Sequence, residues 1–159
     1  CIATPVGHIY LSRCFTVQTL ANVAIVSASH ILEKLVIEVS AAVIYLNDKI
    51  LCFQRGIGKF DYTSFKYEFP GGKLEEGESP EDALIRELDE ELGISVKIGQ
   101  RLTSITHDYP DFSIYMHCYI CETDEFSGEL TEHIAYAQLK PHELDQLDWI
   151  EADKPKDYI

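Results

Sequence analysis

The chain is short of positive charge. Among its 159 residues, 13 Lys and Arg stand against 27 Asp and Glu, a net charge of −14. A surface this acidic repels a phosphate backbone, so stable coating of DNA or RNA is not expected unless a bound cation neutralises the contact. Cysteine is sparse and odd in number. The five (Cys1, Cys14, Cys52, Cys118, Cys121) are scattered, which argues against a disulfide framework and for a reducing, cytoplasmic setting. Cys118 and Cys121 form a CxxC, yet no second Cys or His pair lies at zinc-finger spacing. In a strand they would face opposite sides, so neither metal nor redox use is expected of them. A long apolar run is missing too: residues 15–32 are interrupted by Thr16, Gln18, Thr19, Asn22, Ser27, Ser29 and His30. That is too polar for a membrane span of about 20 apolar residues. Internal repeats and low-complexity tracts are absent. What is present, 46% hydrophobic residues, suffices for one packed domain, and its oligomeric state is not encoded legibly.

Residues 1–35 read differently from the rest. Arg13, an apolar stretch and Ser27-Ala28-Ser29 have the outline of a secretory signal, but the position is wrong for an intact leader. The expectation is an N-terminal extension: an extra helix, a packing arm or a segment outside the functional domain, which would cover residues 36–159.

From Val36 the signals become regular. A β-branched run to Leu46, a turn at Asn47-Asp48 and a second run from Lys49 to Arg55 predict a hairpin. A largely polar loop follows over residues 56–64. Tyr67-Glu68-Phe69 reads as a short strand ended by Pro70-Gly71-Gly72, with a glycine-containing loop running to Gly77. Ser79-Pro80-Glu81-Asp82 has the N-cap, the first-turn proline and the first-turn acids of a helix start, and Gly93 marks its end. Strands are expected over residues 94–106, 113–121 and 134–139, then a short helix from Pro141. Strands around one strongly marked helix, without βαβ repetition, predict a mixed α+β sandwich.

The acidic excess has a location. Between Glu75 and Glu91 lie nine acids and a single base, Arg86. On a helix Glu87, Glu90 and Glu91 share an arc of roughly 100°, while Leu84, Leu88 and Leu92 centre about 110° further round. Burying the leucines would fix the helix and leave the acids accessible. Three crowded carboxylates repel one another unless a cation joins them, and oxygen-only ligation suits Mg²⁺ or Mn²⁺ rather than zinc. Lys73 can reach a phosphate oxygen, and Arg86 stands one turn from Glu90, as an ion-pair partner or a plain surface residue.

Gly72, Glu78 and Arg86-Glu87-Leu88-Asp89-Glu90-Glu91-Leu92-Gly93-Ile94 together resemble the Nudix box, G-x5-E-x7-R-E-U-x-E-E-x-G-U with U apolar, at every defined position. The resemblance extends from about Val36 to Ile159. It implies a Nudix-type α/β/α sandwich with a mixed sheet and one catalytic helix, hydrolysing nucleoside diphosphates linked to another moiety with Mg²⁺. Phe69-Pro70-Gly71-Gly72-Lys73, Arg55 and Tyr109-Pro110-Asp111 make the chain look most like MutT-type nucleoside triphosphate pyrophosphohydrolases, which implies a small nucleotide as partner and pool sanitation, such as removal of 8-oxo-dGTP, as the role. A hydrolase of CTP or modified dCTP, or of another nucleoside diphosphate derivative, is the alternative.

Carried over by position, the Gly71 carbonyl with Glu87, Glu90, Glu91 and Glu132 would ligate metal. Glu87 or Glu132 would take the water proton, with Arg86 supporting the box; His133, beside Glu132, reads more readily as structural than as a base. Arg55, Phe69, Lys73 and Asp153 would bind substrate. Phe69 can equally be a core aromatic and Asp153 a surface acid. Asp153 stands where relatives acting on oxidised guanine carry Asn, and a carboxylate, which only accepts, would seek a donor edge: cytosine's amino group, or the N1–H and amino group of guanine.

Overall fold

The computed structural model describes residues 34–127, 129–155 and 159. The chain divides into Cys1–Lys34 and Leu35–Ile159, and the architecture is that of the second unit. The expectation for the N-terminal extension falls, over residues 1–33, outside the described residues.

Strand β1 (Val36–Leu46) turns at Asn47-Asp48 into β2 (Lys49–Arg55). Both turn residues have left-handed φ, 52° and 61°, as a two-residue hairpin turn demands and as Asn and Asp tolerate. After a 3₁₀ turn at Asp61–Thr63 come β3 (Tyr67–Glu68) and β4 (Gly71–Lys73). Gly71–Lys73, expected as loop, is instead a strand paired antiparallel to β1, with Gly71 opposite Ala41. Glycine makes this possible: φ at Gly71 is +143°, and a Cβ there would overlap the Ser40 carbonyl oxygen.

Helix α1 (Pro80–Leu92) follows, then β5 (Lys97–Asp108), β6 (Ser113–Glu122) and β7 (His133–Leu139). The sheet runs β3-β2-β1-β6-β5, with β4 paired to β1 and β7 to β2. β1 and β6 are parallel, whereas the other pairs are antiparallel. The sheet is thus mixed and the class α+β, as expected.

Because side chains alternate along a strand, the two faces feed two cores. Ala42, Ile44, Leu51 and Phe53 pack with Leu84, Leu88 and Leu92 beneath α1. Ala41, Val43, Cys52 and Phe69 pack with Leu144, Trp149 and Ala152 on the other face, where the covering elements are 3₁₀ turns at Pro141–Gln146 and Glu151–Asp153. The middle of β1 is therefore buried on both faces from Ser40 to Ile44, which explains the apolar run from Ala41 to Leu46. Cys118 and Cys121 fall in opposite cores, and burial pushes both thiols up to about 12. They are inert packing groups.

Candidate active site

Helix α1 is fixed at both ends. Ser79 Oγ accepts the Asp82 N–H at 3.2 Å, and Ser40 on β1 donates to the Pro80 carbonyl at 2.7 Å. At the C-terminus Gly93 takes φ 60°, its N–H reaching the Asp89 carbonyl at 2.9 Å while Ile94 N–H closes on Leu88 at 3.5 Å. With Leu84 and Leu88 fully buried against the sheet, the rotation of the acids is set. They are graded in depth: the side chains of Glu90 and Glu87 are 59% and 18% exposed, and Glu91 is buried at 8%.

Arg86 locks the preceding loop to this helix. Its guanidinium forks onto Glu78 at 3.0 and 2.9 Å, donates to the Lys73 carbonyl at 3.0 Å and to Glu87 Oε1 at 3.0 Å. The pair with Glu90 that the helical spacing offers is longer, 3.5 Å. The guanidinium in turn holds the Glu78 carboxyl below its usual range. Arg86 therefore aims Glu87, and Gly72 leaves room for it: a Cβ on Gly72 would overlap the Glu87 carboxylate.

Glu91 accepts the Gly71 N–H at 3.3 Å. Burial first, then the nearby negative charges of Glu68, Glu87 and Glu132, push its carboxyl up to about 7, with His133 opposing. Among the described residues no three His, Cys, Asp or Glu side chains close on a single point. The donor set, carboxylate oxygens with no sulfur, nonetheless fits a hard divalent cation, whose charge would favour the ionised form of Glu91.

Two cavities adjoin, the smaller of them beside this helix. One of about 210 Å³ is lined by Glu91, Glu132, His133 and residues 56–58. The other, about 680 Å³, lies on the opposite side of the sheet from α1 and is lined by Val39, Phe69, Gly71, Lys73, Tyr109, Phe112, Met116 and Asp153. Arg55 and Glu68 line both, joined by an ion pair of 2.6 Å. A volume of 680 Å³ is of the order that small-molecule sites reach.

At the floor of the larger cavity Asp153, 6% exposed, accepts the Phe69 N–H at 2.8 Å. Burial and the charge of Glu68 push its carboxyl up to about 8. The reading of Asp153 as a surface acid is thus corrected: it is interior, and its surroundings favour the protonated carboxyl, a form that offers an O–H donor beside an acceptor. The Phe69 ring packs on Trp149 at 4.7 Å, a core aromatic that also lines the cavity. The loop read as polar carries Phe60 and Tyr62, which stack at 5.2 Å. Tyr62 in turn stacks on Tyr109 at 5.6 Å, and its hydroxyl donates to Asp111 at 2.9 Å.

Of the expected site residues, Arg55, Phe69, Gly71, Lys73 and Asp153 line the larger cavity and Arg55, Glu91 and the exposed Glu132 the smaller, whereas Arg86, Glu87 and Glu90 stand on α1 and line neither. His133 is buried on Phe53 at 5.2 Å with Nε2 on Glu68 at 3.1 Å, consistent with a structural residue. Sequence reasoning missed Glu68, the junction of the two cavities. Its signal was an acid between two aromatics in a strand, which alternation turns away from its neighbours' face.

Comparison with known proteins matches the NUDIX domain over residues 36–158. An 8-oxo-dGTP diphosphatase of Proteus vulgaris is 48% identical over 66 residues, 42% of this chain and 57% of that protein. The chain thus aligns with little more than half of that relative. A CTP pyrophosphohydrolase of Escherichia coli K12 is 38% identical over 121 residues, 75% of this chain and 87% of that protein. In three dimensions a MutT protein of the Nudix hydrolase family from methicillin-resistant Staphylococcus aureus 252 superposes with a TM-score of 0.62 at 38% identity, covering 77% of this chain and 93% of its own. With the full box on one clamped helix and the family match spanning residues 36–158, the chain belongs to the Nudix family of phosphoric anhydride hydrolases.

Proposed function

We propose that this chain hydrolyses nucleoside triphosphates to the monophosphate and pyrophosphate, dependent on Mg²⁺, with Mn²⁺ as a substitute, and that its role is sanitation of the cytoplasmic nucleotide pool. The observation that carries the reading is the junction of an acid-lined cavity with a larger, aromatic one through Arg55 and Glu68. The larger takes the nucleoside and the smaller the phosphates. Glu87, Glu90, Glu91, Glu132 and the Gly71 carbonyl would hold the cation, which when bound offsets phosphate charge and lowers the pKa of water. Arg55, which lines both cavities, would hold the phosphates, Lys73 would reach a phosphate oxygen from the larger cavity, and Phe69 and Asp153 would bind the base. Water adds at the β-phosphorus, the bridging bond to the α-phosphate oxygen breaks, and the nucleoside monophosphate leaves. Glu87 or Glu132 would take the water proton. Residues 1–35 are an N-terminal extension outside the hydrolase domain of residues 36–159.

For the base, Asp153 favours a second reading. As a neutral carboxyl it matches the adjacent N3 acceptor and amino donor of cytosine, and the chain aligns over three quarters of its length with a CTP pyrophosphohydrolase. As a carboxylate it matches guanine's N1–H and amino group. Assay of 8-oxo-dGTP, dGTP, CTP and 5-methyl-dCTP with Mg²⁺ decides, and pyrophosphate from none of them would refute the function.

A further inference from the structure

We propose that Glu68 is a positioning residue that ties the wall of the nucleotide cavity to the loop carrying Glu132, through Arg55 on one side and His133 on the other. This rests on the pyrophosphohydrolase reading above and extends it to a residue outside the box. Glu68 sits on the two-residue strand β3 and pairs with Phe53 of β2. Its Oε2 accepts from Arg55 Nη1 at 2.6 Å and its Oε1 from His133 Nε2 at 3.1 Å, with the side chain 14% exposed. Both oxygens are therefore committed, and to residues that face each other: Arg55 and His133 are the last register pair between β2 and β7, beyond a bulge. A ladder end next to a bulge is where pairing frays. The carboxylate staples it, and His133 is followed back along the chain at once by Glu132.

The histidine has little freedom to answer a change. Its side chain is 3% exposed, it packs on Phe53, and Nδ1 is buried without a hydrogen-bond partner. With Nδ1 sealed, the ring must donate from Nε2 to Glu68. In Glu68→Gln the amide oxygen can still accept from Arg55, but its NH₂ group then confronts the Nε2–H. The ring must move or shift its proton to Nδ1, where it meets no acceptor. Either response releases the loop at Glu132.

The test uses the full chain. Glu68→Gln should lower kcat by about tenfold or more, the loss typical of groups that orient a metal site's ligands, and raise KM for CTP or 8-oxo-dGTP because Arg55 keeps an acceptor but loses its ion pair. His133→Gln should lower kcat with KM unmoved, and the double variant should lose no more kcat than Glu68→Gln alone. Nitrogen-15 spectra of the histidine rings should show His133 as the Nε2–H tautomer in the parent and altered in Glu68→Gln, with Tm confirming the fold. Should Glu68→Gln not fold, Glu68→Asp, which shortens the carboxylate's reach, replaces it with the same expectations. Kinetics within about twofold of the parent, multiplying kcat losses, or an unchanged ring spectrum would each overturn the proposal. If the parent turns over no triphosphate, the pyrophosphohydrolase reading fails and the ring spectrum alone decides whether Glu68 holds His133.

Discussion

At the scale of single residues, the environment of Asp153 rewrites what its identity implied. A buried acid with its carboxyl near 8 binds a proton in the folded chain that it has lost in the unfolded chain anywhere between about pH 4 and 8. Its contribution to stability is therefore full below about pH 4 and declines as pH rises to about 8. Urea unfolding at pH 5 and pH 8 should show this decline reduced in Asp153→Asn, whose amide oxygen can still accept the Phe69 N–H. If cytosine is the base bound, kcat/KM for CTP should fall as pH rises through about 8 and become flat there in the same variant. A parent profile without that fall would argue for the guanine edge. Gly72 is decided by space: Gly72→Ala should leave the fold nearly intact and lower turnover, because the new methyl displaces the Glu87 carboxylate that Arg86 aims.

At the scale of elements, α1 shows how a pattern of residues becomes a working part. Its apolar stripe, N-cap and C-terminal glycine agree with one another, so the helix was legible from Ser79 to Gly93. Leu88 is completely buried and Ile85 is 53% exposed. Leu88→Ala should cost about 2–5 kcal/mol, and Ile85→Ala within about 0.5 kcal/mol, both measured by chemical denaturation. Replacing Arg86 with Lys keeps the charge but loses the fork onto Glu78 and the reach to the Lys73 carbonyl. The expected result is a kcat lowered by about tenfold or more with Tm little changed, read by steady-state kinetics beside a melt. The short elements were less legible. Gly71–Lys73 reads as loop because glycines carry no strand propensity, and only the long-range approach of β1 gives those residues partners.

At the scale of the whole molecule, the sheet joins distant parts of the chain: Phe69 and Asp153 are linked by a hydrogen bond across 84 positions, and Glu68 and His133 across 65. Among the described residues no helix is long and apolar enough to cross a membrane. If residues 1–34 are an accessory, a chain beginning at Leu35 should fold and hydrolyse the same substrate with unchanged kcat. Loss of turnover with the fold kept would place them in the site. Chelation should abolish activity and added Mg²⁺ restore it, whichever chain is used.

The sequence alone determined the hairpin, the clamped helix, the spacing of Glu87, Glu90 and Glu91 and the family they resemble, because each depends on residues within a few turns of one another. It could not determine how deeply each acid lies, that Asp153 is interior with its carboxyl pushed toward the protonated form, or that Glu68 joins two cavities. Those depend on which strands become neighbours, and burial and nearby charge, which set a carboxyl's proton affinity, exist only once β1 has paired with β4 and β6 and the chain's far end has closed over the sheet.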